Sequence, residues 1–374
     1  MRIVYCLNSL AQTGGIEATT VTKANALAAV SGYEVWIITL CDNSLISEFS
    51  LSRNVHLVGV DNVVTWHFPW NLFQIVLQWF KIKKRLLTRI QRINPDVVVS
   101  TGGLDKWFVP WIKGDWATIR EVHCVKDYRR RQNGAITRRI LARLGEILDY
   151  SFCVKRFDRI VVLTNEDRST NWGKNDRVMV IPNPVRFAGV APAPVAKNHT
   201  VIAVGRLVSQ KNFEALIRAF GRVSHLFPDW QLSILGEGEE RSRLEETIAC
   251  LSLQNRVFLR GNQPNVSEWM TGASVFAMTS SYEGFALAMV EAMGCGLPVV
   301  SYTFPTGPKD IITDGEDGFL VPQGDEGALA DRLRLLMGDE MLRKQMGTAA
   351  FSKARHYSIE NILLLWCRLF ENMR

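Results

Sequence analysis

The 374-residue sequence has no apolar run long enough to cross a bilayer. Its longest nearly apolar stretch, Trp70 to Phe80, covers 11 residues and includes Asn71, Gln74 and Gln78, whereas a spanning helix needs about 20. A secretory h-region is also missing, since only a short apolar strand separates Arg2 from Asn8 and Ser9. Cysteine occurs at Cys6, Cys41, Cys124, Cys153, Cys250, Cys295 and Cys367, with no Cys-x-x-Cys pair. A disulfide framework and a zinc cluster are both disfavoured by that spacing. The expectation is reduced thiols in a cytoplasmic protein. Repeats and low-complexity segments are lacking, and so are zinc-finger, RNP and helix-turn-helix patterns, which argues against nucleic acid as the partner.

Charge is present but lopsided. Residues 1–185 carry 25 Lys and Arg against 16 Asp and Glu, while residues 186–374 carry 19 against 21. The whole positive excess belongs to the first half. Part of it lies in Asn71 to Ile93, where Leu72, Ile75, Trp79, Ile82, Leu86, Ile90 and Ile93 share one helical face, with Lys81, Lys84, Arg85, Thr88 and Arg92 largely opposite. Trp66, Phe68 and Trp70 precede it, and Arg129, Arg130, Arg131, Arg138, Arg139 and Arg143 form a second cluster. Basic residues beside aromatics suit an anionic membrane surface. The competing account packs the Ile75 row on a sheet and leaves a solvated basic face.

Apolar strands alternate with helical stretches from Ile3 to Met337, which predicts α/β architecture with two doubly wound parallel sheets. Pro182, Pro184, Pro192 and Pro194 mark a linker. The division expected is residues 1–185, a linker 186–199, residues 200–357 and a terminal helix 358–374. Ile359, Ile362, Leu363, Trp366, Leu369 and Phe370 would be that helix's apolar face.

The richest segment runs from Ser280 to Pro298. Val275 to Met278 reads as a buried strand, Ser280 to Gly284 as a turn, and Phe285 to Met293 as a helix ended by Gly294. Backbone N–H groups of Phe285, Ala286 and Leu287 would then point outward at the positive end of the helix, a setting for phosphate. Glu283 sits just before that start and Glu291 within the helix, each able to accept from vicinal hydroxyls. Upstream, Thr200 to Val204 is a strand followed by Gly205-Arg206, with Lys211 and Asn212 opening a helix over Phe213 to Val223. Two cations at a strand's carboxyl end suit a diphosphate.

Together these residues resemble the retaining glycosyltransferases of family GT4, whose two glutamates are separated by seven residues as Glu283 and Glu291 are. Gly14-Gly15-Ile16-Glu17, Ile181-Pro182-Asn183-Pro184, Gly205-Arg206 with Lys211-Asn212, and Gly236-Glu237-Gly238 follow in family order. Pro305-Thr306-Gly307-Pro308 and Asp314 to Pro322 resemble members that build bacterial surface polysaccharides such as O-antigen and capsule.

The resemblance implies a GT-B fold, with two Rossmann-like domains facing across a cleft and the last helix crossing back to the first. It implies an acceptor-binding first domain and a second domain that binds a nucleoside diphosphate sugar. Arg206 and Lys211 match the residues that hold the donor diphosphate, Glu291 the ribose-binding glutamate, and Glu283 the one beside the transferred sugar. Gly284, Phe285, Ala286 and Leu287 would line the diphosphate, Gly14 and Gly15 would let backbone approach it, and Gly261 and Gln263 would edge the base. His123 falls near a sugar-contacting histidine of relatives, although Glu121 can fill the same role and a lone histidine can be structural. The catalytic set implied is Glu283, Arg206, Lys211 and His123.

No metal is implied, and no Asp-x-Asp motif is present. The resemblance carries retention of anomeric configuration, with a UDP-hexose or UDP-N-acetylhexosamine as donor. A polyprenyl-diphosphate-linked glycan at the cytoplasmic face of the plasma membrane is the acceptor expected. Two alternatives stay open, a sugar-nucleotide epimerase of related fold and a non-catalytic nucleotide-sugar-binding scaffold at the membrane.

Overall fold

The computed structural model describes residues 1–11, 14–41, 50–60, 72–126, 136–185 and 198–373, with side chains left out for 72–76 and 136–139. The chain forms two compact units. One comprises Met1–Leu163, Arg168–Pro184 and Ile359–Arg374, and the other comprises Thr164–Asp167 and Val185–Ser358.

The first unit is built on seven parallel strands, β1 (Arg2–Leu7), β2 (Glu34–Thr39), β3 (Val55–Gly59), β4 (Val97–Ser100), β5 (Ala117–Val122), β6 (Arg159–Val162) and β7 (Val178–Val180). Their order is β3-β2-β1-β4-β5-β6-β7. β1 and β4 are apolar throughout their interiors because helices cover both faces, so neither alternates polar with apolar residues. Helix α1 (Gly15–Ala28) packs on one face, where Val21, Ala24 and Leu27 join Ile3, Tyr5 and Val99. Helix α2 (Leu72–Ile93) packs on the other.

That packing follows the second of the two accounts given for this helix. Ile82, Leu86, Ile90 and Ile93 of α2 are buried against Val4, Val98 and Phe108, so this part of its apolar row is core, while Leu77 and Phe80 stay exposed. The exposed Lys81, Lys84, Arg85 and Arg92 form a solvated face over it. Trp66, Phe68, Trp70 and Arg129–Arg131 lie outside the described residues.

The second unit has six parallel strands, β8 (Thr200–Val204), β9 (Gln231–Leu235), β10 (Val257–Leu259), β11 (Val275–Met278), β12 (Val299–Tyr302) and β13 (Gly318–Val321), in the order β10-β9-β8-β11-β12-β13. Both sheets therefore reverse winding direction beside their first strand, between β1 and β4 and between β8 and β11. In such open sheets the loops after those two strands diverge and leave a crevice at the carboxyl ends. The topology alone nominates the loops after β8 and β11.

Three further helices matter below, namely α3 (Ile136–Leu148), α4 (Phe213–Ser224) and α5 (Leu287–Gly294). The terminal helix α6 (Ile359–Glu371) returns to the first unit's sheet. Its Ile362, Trp366, Leu369 and Phe370 are buried with Ile3, Leu27 and Ile181, which supplies the missing cover for that face. Among the described residues, no helix is long and apolar enough to cross a membrane.

Candidate functional site

In the second unit the two loops at the sheet's reversal are laced together. β8 ends at Val204, and Gly205 leads to the exposed Arg206. A single 3₁₀ turn, Ser209–Lys211, then gives way to Asn212, whose left-handed conformation (φ 49°) redirects the chain into α4. Asparagine tolerates that region better than most side chains. Lys211 Nζ donates to Glu283 Oε1 at 2.6 Å, joining the loop after β8 to the loop after β11. Both side chains keep a solvent-facing edge, at 18% and 13% exposure, so the pair remains reachable by a ligand.

Backbone contacts hold this pair in place. Ser281 N donates to Gln210 O at 2.7 Å, and Gln210 Nε2 donates to Tyr282 O at 2.7 Å. Thr279 Oγ1 donates to Lys211 O at 3.0 Å, and Thr306 Oγ1 donates to Glu283 O at 2.6 Å. Thr306 is itself fixed, because its N–H donates to Glu166 Oε2 at 3.0 Å. Gln210, Thr279 and Thr306 are positioning residues that sequence reasoning missed. A signal existed in the Pro305-Thr306-Gly307-Pro308 turn, but its role depends on a contact 23 positions away.

The helix start differs from expectation in detail. α5 begins at Leu287, and Ala286 (φ −76°, ψ 70°) makes an inverse γ-turn that spends the Leu287 N–H on Phe285 O at 2.8 Å. Leu287 is therefore not a free donor. The N–H groups of Phe285, Ala286 and Ala288 have no partner among the described residues. They remain the donors at the positive end of α5. Glu291 is the fifth residue of α5, at the start of its second turn, and is exposed, although desolvation by surrounding protein pushes its carboxyl up.

Glycines close the rim. Gly236 (φ 136°) follows β9, and its N–H donates to Gly261 O at 2.8 Å. A Cβ on Gly236 would strike the Gly205 carbonyl oxygen, so only glycine lets the ends of β8 and β9 approach so closely. Gly261 is also left-handed (φ 71°), and Gln263 Nε2 folds back to donate to Arg260 O at 2.6 Å.

The first unit holds the other predicted residues. Gly14 is the N-cap of α1, and a Cβ there would run into the Glu17 carboxylate; Gly15 is the helix's first residue. His123 follows β5, and its Nε2 lies 2.9 Å from Glu121 Oε2. Glu121 also receives Lys23, whose ammonium stands over the Trp366 ring at 4.8 Å. Burial alone would raise the Glu121 carboxyl, but Lys23 and His123 outweigh it and hold it down to about 2. Glu121 is fully enclosed, whereas the His123 ring, 3% exposed, lines a cavity of about 80 Å³ with neither ring nitrogen hydrogen-bonded among the described residues. Of the two, only His123 borders that cavity.

The same cavity reaches an ionic cluster that sequence reasoning missed. Lys106 Nζ lies 2.6 Å from Asp149 Oδ2, and Arg120 lies 3.6 Å from the same oxygen. Asp105, bonded to Ser100, has its carboxyl raised by burial. Arg120 and Glu121, two adjacent charges on the strand Ala117–Val122, were the available signal. Among the described residues, no three His, Cys, Asp or Glu side chains gather as a metal site.

Residues 13–188 match the family model described as Glycosyltransferase Family 4, and residues 191–353 match that described as Glycosyl transferases group 1. The chain belongs to these glycosyltransferases. It is 26% identical over 369 residues to an uncharacterized glycosyltransferase of Haemophilus influenzae, covering 98% of each chain. It is also 26% identical over 381 residues to an α-1,4-N-acetyl-D-galactosaminyltransferase of Campylobacter jejuni, whose name gives a diNAcBac-PP-undecaprenol acceptor, covering 100% of this chain and 99% of that one. Among solved structures, S. aureus TarM crystallised with UDP superposes with a TM-score of 0.79 at 16% identity, covering 99% of both chains. The fold of this glycosyltransferase is GT-B.

Two features of the glycosyltransferase follow from its geometry. Its second unit offers two cations, three backbone donors and two carboxylates around one sheet reversal, which is chemistry for a polyhydroxylated dianion. Its first unit offers a buried histidine beside a buried carboxylate.

Proposed function

We propose that this glycosyltransferase moves a hexose or N-acetylhexosamine from a UDP-sugar to a polyprenyl-diphosphate-linked glycan. The reading places it in bacterial surface-polysaccharide biosynthesis at the cytoplasmic face of the membrane, with retained anomeric configuration and no resident metal. The observation that carries it is the Lys211–Glu283 contact beside the unpartnered N–H groups of Phe285 and Ala286.

On this reading Arg206, Lys211 and those N–H groups balance the charge that develops on the departing diphosphate. Glu283 accepts from hydroxyls of the transferred sugar, and Glu291 accepts from the ribose. Gly261 and Gln263 edge the base, and Gly14 and Gly15 admit the diphosphate to the first unit's backbone. His123 Nδ1 accepts from a hydroxyl of the transferred sugar. The anomeric carbon–oxygen bond to phosphate breaks as the acceptor oxygen bonds on the same face, and the acceptor proton passes to the departing phosphate oxygen. The UDP in the TarM crystal supports the nucleotide, and the Campylobacter relative's name supports the acceptor class.

The test is calorimetry and thermal shift of the purified chain against UDP, GDP and their sugar derivatives, with and without EDTA. A ligand that binds the folded state raises its midpoint by mass action. A response to uridine nucleotides that persists in EDTA and vanishes in Glu291→Ala is expected. Silence toward every nucleotide would sink the proposal.

A further inference from the structure

Thr306 holds a backbone conformation that its side chain disfavours. Its φ of 61° is left-handed, a region that a β-branched residue enters at a cost and keeps only when its surroundings dictate it. Here they do. Thr306 is 4% exposed, its N–H donates to Glu166 Oε2 at 3.0 Å, and its hydroxyl donates to Glu283 O at 2.6 Å. Glycine would meet the same φ without strain but would bring no hydroxyl. The strain therefore accompanies a grip on the main chain of Glu283.

The far end of that grip is Glu166. It belongs to Thr164–Asp167, a short segment grouped with the second unit. The Asp310 carboxylate fixes the segment, accepting from the Glu166 N–H at 3.0 Å through Oδ2 and from the Asn165 N–H and Nδ2 at 3.0 Å each through Oδ1. The second Glu166 oxygen faces Lys309 Nζ at 3.7 Å. Glu166 thus reaches Thr306 with its own backbone pinned.

The backbone donors at the start of α5 are held by other contacts. The Phe285 and Tyr357 rings lie 5.6 Å apart, centroid to centroid, and the Tyr357 hydroxyl donates to Asp310 O at 3.1 Å. The Ala286 carbonyl accepts from the Met289 N–H at 3.0 Å. Removing the Glu166 carboxylate leaves these contacts in place, so it loosens Glu283 more than it loosens Phe285 and Ala286.

We infer that Glu166 is a positioning residue for the sugar of the donor. Through Thr306 it sets the main chain of Glu283, and with it the carboxylate that accepts from hydroxyls of the transferred sugar. The inference deepens the donor reading given under the proposed function and rests on it.

The experiment is calorimetric titration of the full chain with UDP and with UDP-glucose, UDP-galactose, UDP-N-acetylglucosamine and UDP-N-acetylgalactosamine. It reads the ratio of the UDP dissociation constant to that of the tightest sugar nucleotide. Glu166→Ala should lower that ratio about threefold to tenfold, the size of one slackened hydrogen bond, with UDP affinity within about twofold of wild type. Glu166→Gln, which can still accept from the Thr306 N–H, should restore most of the ratio. Thr306→Ala should lower it likewise, and Thr306→Ser, which keeps the hydroxyl, should hold it near wild type. An unchanged ratio in Glu166→Ala where Glu283→Ala has lost it overturns the inference and leaves the donor reading standing. Equal weakening toward UDP and the sugar nucleotide also overturns it, assigning Glu166 to the fold alone. No response of the wild type to any uridine nucleotide, or an unchanged ratio in Glu283→Ala, removes the donor reading and the inference with it.

Discussion

Lys23→Met should destabilise the first unit severely. Lys23 is 2% exposed and Glu121 is 0% exposed, and they form an ion pair beneath Trp366. Removing the ammonium leaves a carboxylate in the core with only His123 beside it. Breaking a buried pair from one side costs about 3–5 kcal/mol, which is a loss of roughly 10 °C in midpoint for a unit of this size. Burial raises the Glu121 carboxyl, yet Lys23 and His123 bring it down to about 2 in the folded state from 4.5. A carboxylate depressed by folding stabilises fully above its unfolded pKa, and that contribution fades as pH falls from 4.5 toward 2. Urea denaturation at neutral pH and at mildly acidic pH reads both effects. The double variant Lys23→Met with Glu121→Gln should recover at least about half of the loss, since neither partner is then left charged and alone. A single variant within about 1 kcal/mol of wild type, or a double variant no better than the single, would refute the reasoning.

Other outcomes are open to measurement. Glu291→Gln should abolish donor binding while raising the melting midpoint at neutral pH, because the folded state raises this carboxyl and so disfavours its charged form; a lower midpoint would show that Glu291 serves folding. Gly236→Ala should cost at least about 2 kcal/mol and weaken uridine-nucleotide binding, since the new methyl meets the Gly205 carbonyl at a left-handed position; calorimetry beside a melt checks it. Trp366→Ala should cost about 3–5 kcal/mol by opening a cavity against Ile3 and Leu27. A melt within a degree of wild type would mean that α6 contributes little to that core.

Much of the site was legible because its chemistry is local. Arg206 follows a strand by two positions, Lys211 opens a helix, and Glu283 precedes one, so the strand and helix patterns placed all three at carboxyl ends of parallel strands. The helix's start was legible only to within two residues. Whether Leu287 donates outward depends on the ψ of Ala286, which no periodicity encodes. Thr306 was visible as part of a turn, but its grip on Glu283 comes from the return of a later strand.

The two amphipathic basic helices mark the limit more sharply. The α2 segment read as apolar on one side and cationic on the other, while the α3 segment was visible only as an arginine cluster. Tertiary structure decided which face of each helix is hidden. α2 lies over β1 and β4, where burying Leu86 and Ile90 removes apolar area from water, whereas α3 turns Asp149 and Glu146 toward the ionic cavity and leaves its leucines outside. What the sequence determined was the two doubly wound sheets and the loops at their reversals, because strand apolarity and loop residues are properties of short windows. Partners for Lys23, Glu121 and Trp366, and the face each helix hides, needed the chain to be folded, because those contacts join residues many tens of positions apart.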